Sequence, residues 1–180
     1  MDCKATKELK LYLDRIADCV KKKDFIFDPK CQKEVKAFEK KFKAEHVGTG
    51  ISRVVYAIDD CVVKFAIDSY SRKSNKTEYE TYSNLPEEVK ELFIPVTDHH
   101  EEFYWNMSPK AKVFQTREEY YKAEEILKQI EKELSKRGYK CADLHEGNVG
   151  LLNDKPIIVN YGFGVTECPV PLKEKKISLS

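Results

Sequence analysis

The stretch from Asp143 to Gly162 constrains the fold more than any other part of the sequence. A charged loop, Asp143-Leu144-His145-Glu146-Gly147-Asn148, leads into an apolar run over 149–152. A turn pair at Asn153 and Asp154 follows, then a second apolar run over 156–159 and Asn160-Tyr161-Gly162. Two short apolar runs flanking an Asn-Asp pair predict a β-hairpin, since both residues tolerate the left-handed backbone of a tight turn. A hairpin returns the chain to its start, so the charged loop and Asn160 are expected side by side.

With 180 residues the chain is long enough for one domain or one compact two-lobed unit. Its 32 Lys and Arg nearly balance its 31 Asp and Glu, so no global attraction to nucleic acid or acidic membranes is expected. Charged residues are 35% of the chain, but 41% are hydrophobic, with ten Tyr and nine Phe, which predicts a folded globule with a charged surface. The six cysteines, Cys3, Cys19, Cys31, Cys61, Cys141 and Cys168, form no C-x-x-C pair and read as scattered thiols, although an even count also permits three disulfides. With no apolar signal core at the N-terminus and no run approaching the ~20 residues of a membrane-spanning helix, a reducing cytoplasm is the expected home.

Leu9, Leu13, Ile16 and Val20 fall on one face of a helix over 7–22. Asp28 and Pro29 open a second, ending near Lys43, with Cys31, Val35, Phe38 and Phe42 as its apolar stripe. The period then shortens. Gly48 and Gly50 form a glycine-rich turn before two β-rich runs, 54–58 and 62–65, separated by Asp59-Asp60. Helical spacing returns over 75–85, with Asn75 as its cap, and Pro86 closes it. A helical turn over 87–93 follows, then an extended segment over 94–97 and another strand starting at Phe103. His99, His100, Glu101 and Glu102 match no metal-site spacing and read as a solvated turn. Thr116 and Glu119 form a capping box for a long helix ending near Gly138, with Tyr120, Ala123, Leu127, Ile130 and Leu134 on one stripe. After Gly164 the periodicity is lost and a mobile or docked tail is expected.

In this order the elements resemble the protein kinase-like fold, especially the very small kinase-like proteins found among viral and bacteriophage sequences. Gly48, Gly50 and Arg53 lie where the glycine-rich phosphate loop is expected, with Arg53 replacing its third glycine. Lys64, within Val62-Val63-Lys64-Phe65, resembles the strand lysine that holds the nucleotide phosphates. Glu78, early in the next helix, fits its ion-pair partner better than Glu80, which points to another face. Arg53 either adds a phosphate contact or lies on the strand face. Residues 105–109 would form the linker between the lobes. Asp143 and Asn148 resemble the Asp-Leu-x-x-x-Asn catalytic loop, with Cys141-Ala142 in place of His-Arg, and Asn160-Tyr161-Gly162 stands where Asp-Phe-Gly is usual.

The resemblance implies an α+β, truncated, two-lobed kinase-like fold: an N-terminal antiparallel sheet with its helix, a reduced helical C-terminal lobe, and two extra helices in front. The implied divisions are a helical extension over 1–44, a kinase-like core over 45–164 and a tail over 165–180. It also implies ATP bound through Gly48, Gly50, Arg53, Lys64 and Glu78, Asp143 orienting an acceptor hydroxyl, and Mg²⁺ held by Asn148 and Asn160. Asn160 brings no negative charge, so metal affinity is expected to be weakened. Only eighteen residues follow Gly162, which leaves no Ala-Pro-Glu motif and no room for a peptide-docking segment. Two functions follow from the resemblance. One is a catalytically impaired pseudokinase that binds a protein partner, a host factor if the origin is viral. The other is an active minimal phosphotransferase using Lys64 and Asp143. The missing carboxylate and the short C-terminal part favour the first. Neither a nucleic acid nor a membrane is expected as a partner.

Overall fold

The computed structural model describes residues 3–114, 116 and 119–168. It opens with two helices, α1 (Lys7–Lys23) and α2 (Pro29–Phe42). The Thr6 hydroxyl caps α1 by accepting the Leu9 N–H at 3.1 Å, and the Asp28 carboxylate caps α2 by accepting the Lys30 N–H at 2.9 Å. The stripes read from helical spacing are the buried ones: Leu9, Leu13, Ile16 and Val20 on α1, and Cys31, Val35 and Phe38 on α2. Both stripes cover one face of a sheet, where Phe38 meets Tyr56 and Phe65 edge-on, each with ring centroids 5.7 Å apart.

The sheet contains β1 (Glu45–Thr49), β2 (Arg53–Ile58), β3 (Cys61–Ala66), β4 (Asp98–His99) and β5 (Trp105–Pro109) in the spatial order β1-β2-β3-β5-β4, with every neighbouring pair antiparallel. β1 is a difference from the sequence reading, which saw only a glycine-rich turn; its register shifts between His46 and Gly48. A bulged strand has no clean alternation to read. Residues 105–109 are not the inter-lobe linker. They form an inner strand in which Trp105, Asn106, Met107 and Ser108 are buried, and the connection runs through residues 110–114. Trp105 is fixed in place because its indole N–H donates to Asp14 at 3.2 Å.

The other face of the sheet receives α3 (Arg72–Asn84). Asn75 does not cap this helix. The helix starts about a turn earlier, behind an Asp68 carboxylate that accepts the Ser71 N–H at 2.7 Å, and Asn75 is buried within it. Its amide donates to the carbonyls of Lys64 and Phe103 at 3.2 and 3.0 Å, tying α3 to the sheet.

A second core lies beyond the connection. It is built from α4 (Glu87–Lys90), β6 (Lys112–Val113), α5 (Tyr120–Lys136), β7 (Tyr139–Cys141), the 3₁₀ turn η1 (Glu146–Asn148), β8 (Val149–Leu152), β9 (Lys155–Ile158) and β10 (Val165–Glu167). α5 buries Ala123, Ile126, Ile130 and Leu134, whereas Tyr120 stays half-exposed and donates its hydroxyl to Glu146. Asn153 and Asp154 both adopt left-handed backbone, φ 52° and 62°, and close the β8-β9 hairpin. β6 pairs on the open edge of β8, where a Cβ on Gly150 would lie 2.6 Å from the Lys112 carbonyl oxygen. β10, pairing antiparallel with β7, occupies residues for which no periodicity was readable. The rest of the expected tail, after Cys168, lies outside the described residues. Among the described residues no helix is long and apolar enough to cross a membrane.

The cysteines are not all scattered thiols. Cys3 and Cys61 form a disulfide across a separation of 58 residues, anchoring the segment before α1 to the start of β3. This removes the cysteine argument for a reducing compartment. Removing the bridge by reduction or by Cys3→Ser is expected to cost about 2–4 kcal/mol, because the loop it closes is long. Urea unfolding with and without reductant measures this; identical midpoints would show that the bridge contributes nothing.

Candidate functional site

The period of two along β2 and β3 builds the site. Val55 lies opposite Lys64 and Ala57 opposite Val62, so Arg53, Val55, Ala57, Val62 and Lys64 share a face, while Val54, Tyr56, Val63 and Phe65 join the α1-α2 core. Glu78 rises from α3 beneath this face and is fully buried. Its Oε1 accepts from Lys64 Nζ at 3.0 Å and from the Tyr161 N–H at 3.1 Å. Its Oε2 accepts from Lys64 Nζ at 2.9 Å and from Arg53 at 2.8 Å. Lys64 also donates to the Val159 carbonyl at 2.7 Å, a contact that an incoming anion would have to displace.

Two buried cations therefore share one buried carboxylate, leaving an excess positive charge. Burial alone would push the Glu78 carboxyl up, but Arg53, Lys64 and the Tyr161 N–H outweigh it and hold the group below its usual range. Burial pulls the Lys64 ammonium down to about 8, with Arg53 adding to the fall and Glu78 opposing it. Sequence order anticipated the pairing of Lys64 with Glu78. Arg53 completes the cluster from the strand face, and the Asn160 side-chain oxygen accepts from its guanidinium.

The β8-β9 hairpin brings the charged loop beside this cluster, as the Val159 N–H donates to the Asn148 carbonyl at 2.8 Å. The Asn148 amide donates to the Asp143 carbonyl at 2.8 Å and lies 3.5 Å from its carboxylate. Asp143 has left-handed backbone, φ 55°, and its half-exposed carboxylate stands 4.0 Å from His145.

A cleft of about 650 Å³ between the two cores is lined by Gly48, Arg53, Lys64, Asn148 and Asn160. Glu78 lies behind the wall, while Gly50 and Asp143 are not part of the lining. Val47, Ala57 and Val62 form one apolar wall and Ile94, Phe114 and Val159 the other, with Lys110 and Lys112 along the connection. Neither lysine had been singled out in the sequence. Their role depends on a connection that had been placed a few residues too early. A larger concavity of about 780 Å³ borders Cys141, Asp143 and Cys168. It lacks the buried cations, and burial pushes the Cys141 thiol up to about 12.

Of the two residues expected to hold Mg²⁺, Asn160 does not fit it. The Asn160 side-chain oxygen already accepts from Arg53 and from the Gly162 N–H, two donors converging on one atom. Asn148 directs its amide nitrogen, not its oxygen, at Asp143 and His145, so these hydrogen bonds do not occupy the oxygen a metal would use. Among the described residues no group of three or more His, Cys, Asp or Glu is placed to hold a metal.

No protein-family model and no curated protein matches the chain. Among solved structures it is similar to WbdD, described as a bifunctional kinase-methyltransferase, at 16% identity and a TM-score of 0.49, covering 70% of this chain and 34% of that one. A complex of WbdD with the kinase inhibitor LY294002 gives 17% identity, a TM-score of 0.46 and coverages of 68% and 33%. The Rio2 kinase-ADP/Mg²⁺-phosphoaspartate complex from Chaetomium thermophilum gives 13%, 0.42, 92% and 75%. The chain spans about a third of the WbdD chains. The observation internal to the molecule is the antiparallel sheet whose lysine reaches a helix glutamate above a cleft closed by a second core. This arrangement is the one the sequence reading expected of a kinase-like fold. α1 and α2 pack on the sheet face opposite the cleft.

Proposed function

We propose that the cleft binds a nucleoside phosphate and that the protein is catalytically impaired, acting as a ligand-dependent module for a protein partner. The carrying observation is the buried Arg53-Glu78-Lys64 cluster, whose excess positive charge lines a cleft with apolar walls. A flat base suits the slot between Ala57 and Ile94, and phosphates suit the cationic end. Impairment is supported by Asn160, a neutral group at a position where phosphoryl transfer needs a metal-binding carboxylate, and by Asp143 standing outside the cleft lining.

The alternative reading, an active phosphotransferase with Asp143 as base, draws on the Asn148 hydrogen bonds that hold the Asp143 loop. A turnover assay separates the two readings. ATP supplied with excess Mg²⁺ is expected to give no more phosphate release or transfer with the wild type than with Asp143→Ala. Robust wild-type turnover abolished by Asp143→Ala would establish the phosphotransferase.

A further inference from the structure

Resting on the nucleotide reading of the cleft, we infer that the phosphate ligand is bound without a divalent cation, the Arg53 guanidinium supplying the positive charge at Asn160. Arg53 is buried, held by the Glu78 carboxylate at 2.8 Å, and its other terminal nitrogen donates to Asn160. Both donors that reach the Asn160 side chain meet the same atom, which fixes that atom as the amide oxygen. A divalent cation seeking this oxygen would have to evict a guanidinium paired with a buried carboxylate, against the repulsion of two fixed cations. A neutral amide suits a guanidinium here. A carboxylate at position 160 would form a second ion pair with Arg53 and cancel the excess charge that draws an anion. Arg53 and Asn160, 107 residues apart in sequence, thus touch and satisfy each other at the cationic end of the cleft.

The test measures ADP binding to the full chain by calorimetry, once with Mg²⁺ and once with EDTA. The affinity is expected to agree within ~2-fold in the two media, and Mg²⁺ alone is expected to give no binding heat. Asn160→Asp is expected to bind ADP more weakly and still without a Mg²⁺ requirement, because Arg53 neutralises the new carboxylate. Adding Arg53→Gly to Asn160→Asp frees that carboxylate, and ADP binding is then expected to depend on Mg²⁺. Glu78 keeps Lys64 and the Tyr161 N–H in that protein, so the fold has a paired carboxylate to retain. A loss of ~10-fold or more in wild-type affinity on moving to EDTA would overturn the metal-free site while leaving the nucleotide reading intact. No ADP binding in either medium would overturn the nucleotide reading itself, and the metal-free site with it.

Discussion

Glu78→Ala is expected to lower stability by about 3–5 kcal/mol, enough to unfold a substantial part of the population of a marginally stable domain. The reason is a count of charges. Arg53 and Lys64 are both buried, and the Glu78 carboxylate is the group that pairs them. Its removal leaves two cations facing each other out of water and deprives the Tyr161 N–H of its acceptor. Glu80 on the same helix is the control. It is exposed and forms an exposed ion pair with Lys76, so Glu80→Ala is expected to stay within about 0.5 kcal/mol of wild type. Urea unfolding of the three proteins decides the matter, and equal midpoints for the two variants would remove Glu78 from the centre of the fold. The cluster also sets the acid limb of stability. Glu78 is held below its ordinary value, so its contribution is fully present above about 4.5 and is lost as pH falls through the lower folded value.

Lys64→Ala should act in the opposite way, with a modest effect on stability and a large one on binding. Without Lys64, Glu78 still accepts from Arg53 and from the Tyr161 N–H, so one buried cation faces one buried carboxylate and the charge is balanced. The ligand loses a charge-assisted hydrogen bond of about 1.5–3 kcal/mol, equivalent to a ~10- to 150-fold weaker affinity. A pH series supplies the sign. Burial, together with neighbouring Arg53, lowers the Lys64 ammonium to about 8, with Glu78 opposing the fall. Raising pH through that value removes the charge a phosphate needs, so wild-type affinity is expected to fall above about 8. In Lys64→Ala the step is expected to be absent, as Arg53 keeps its charge throughout this range.

The parts of this arrangement that were legible in the sequence have local causes. Asn153-Asp154 between two apolar runs specified the β8-β9 hairpin, and with it the meeting of the charged loop with Asn160. The stripes of α1 and α2 were readable because burial repeats with the helical period, and so was most of α5, where Ile126 rather than Leu127 is buried and Tyr120 is half-exposed. The order of Lys64 and Glu78 after a glycine-rich turn suggested their pairing. β1 and β10 were missed because a bulge interrupts the first and the second has only three residues, too few to show an alternation. Asn75 reads locally as a cap because Asn favours that position, yet its partners are the carbonyl of Lys64 within β3 and that of Phe103 before β5, both distant in sequence. The Cys3–Cys61 bridge depends on where α1 lies against the sheet, which spacing alone does not reveal. Arg53 was left between two roles, although its strand parity with Val55 and Ala57 is the signal that places it on the cleft face beside Lys64. What resolved its role was Glu78 beneath it, a contact made only when α3 packs on the sheet.

Calorimetric titration of ADP into the wild type and Lys64→Ala, side by side at pH 7, tests the cleft most directly. Saturable binding at one site per wild-type chain, weakened by ~10-fold or more in a Lys64→Ala protein that still unfolds cooperatively, is the expected result. Equal affinity in the two proteins, or no binding to the wild type, would contradict a phosphate held by the buried cations of the cleft.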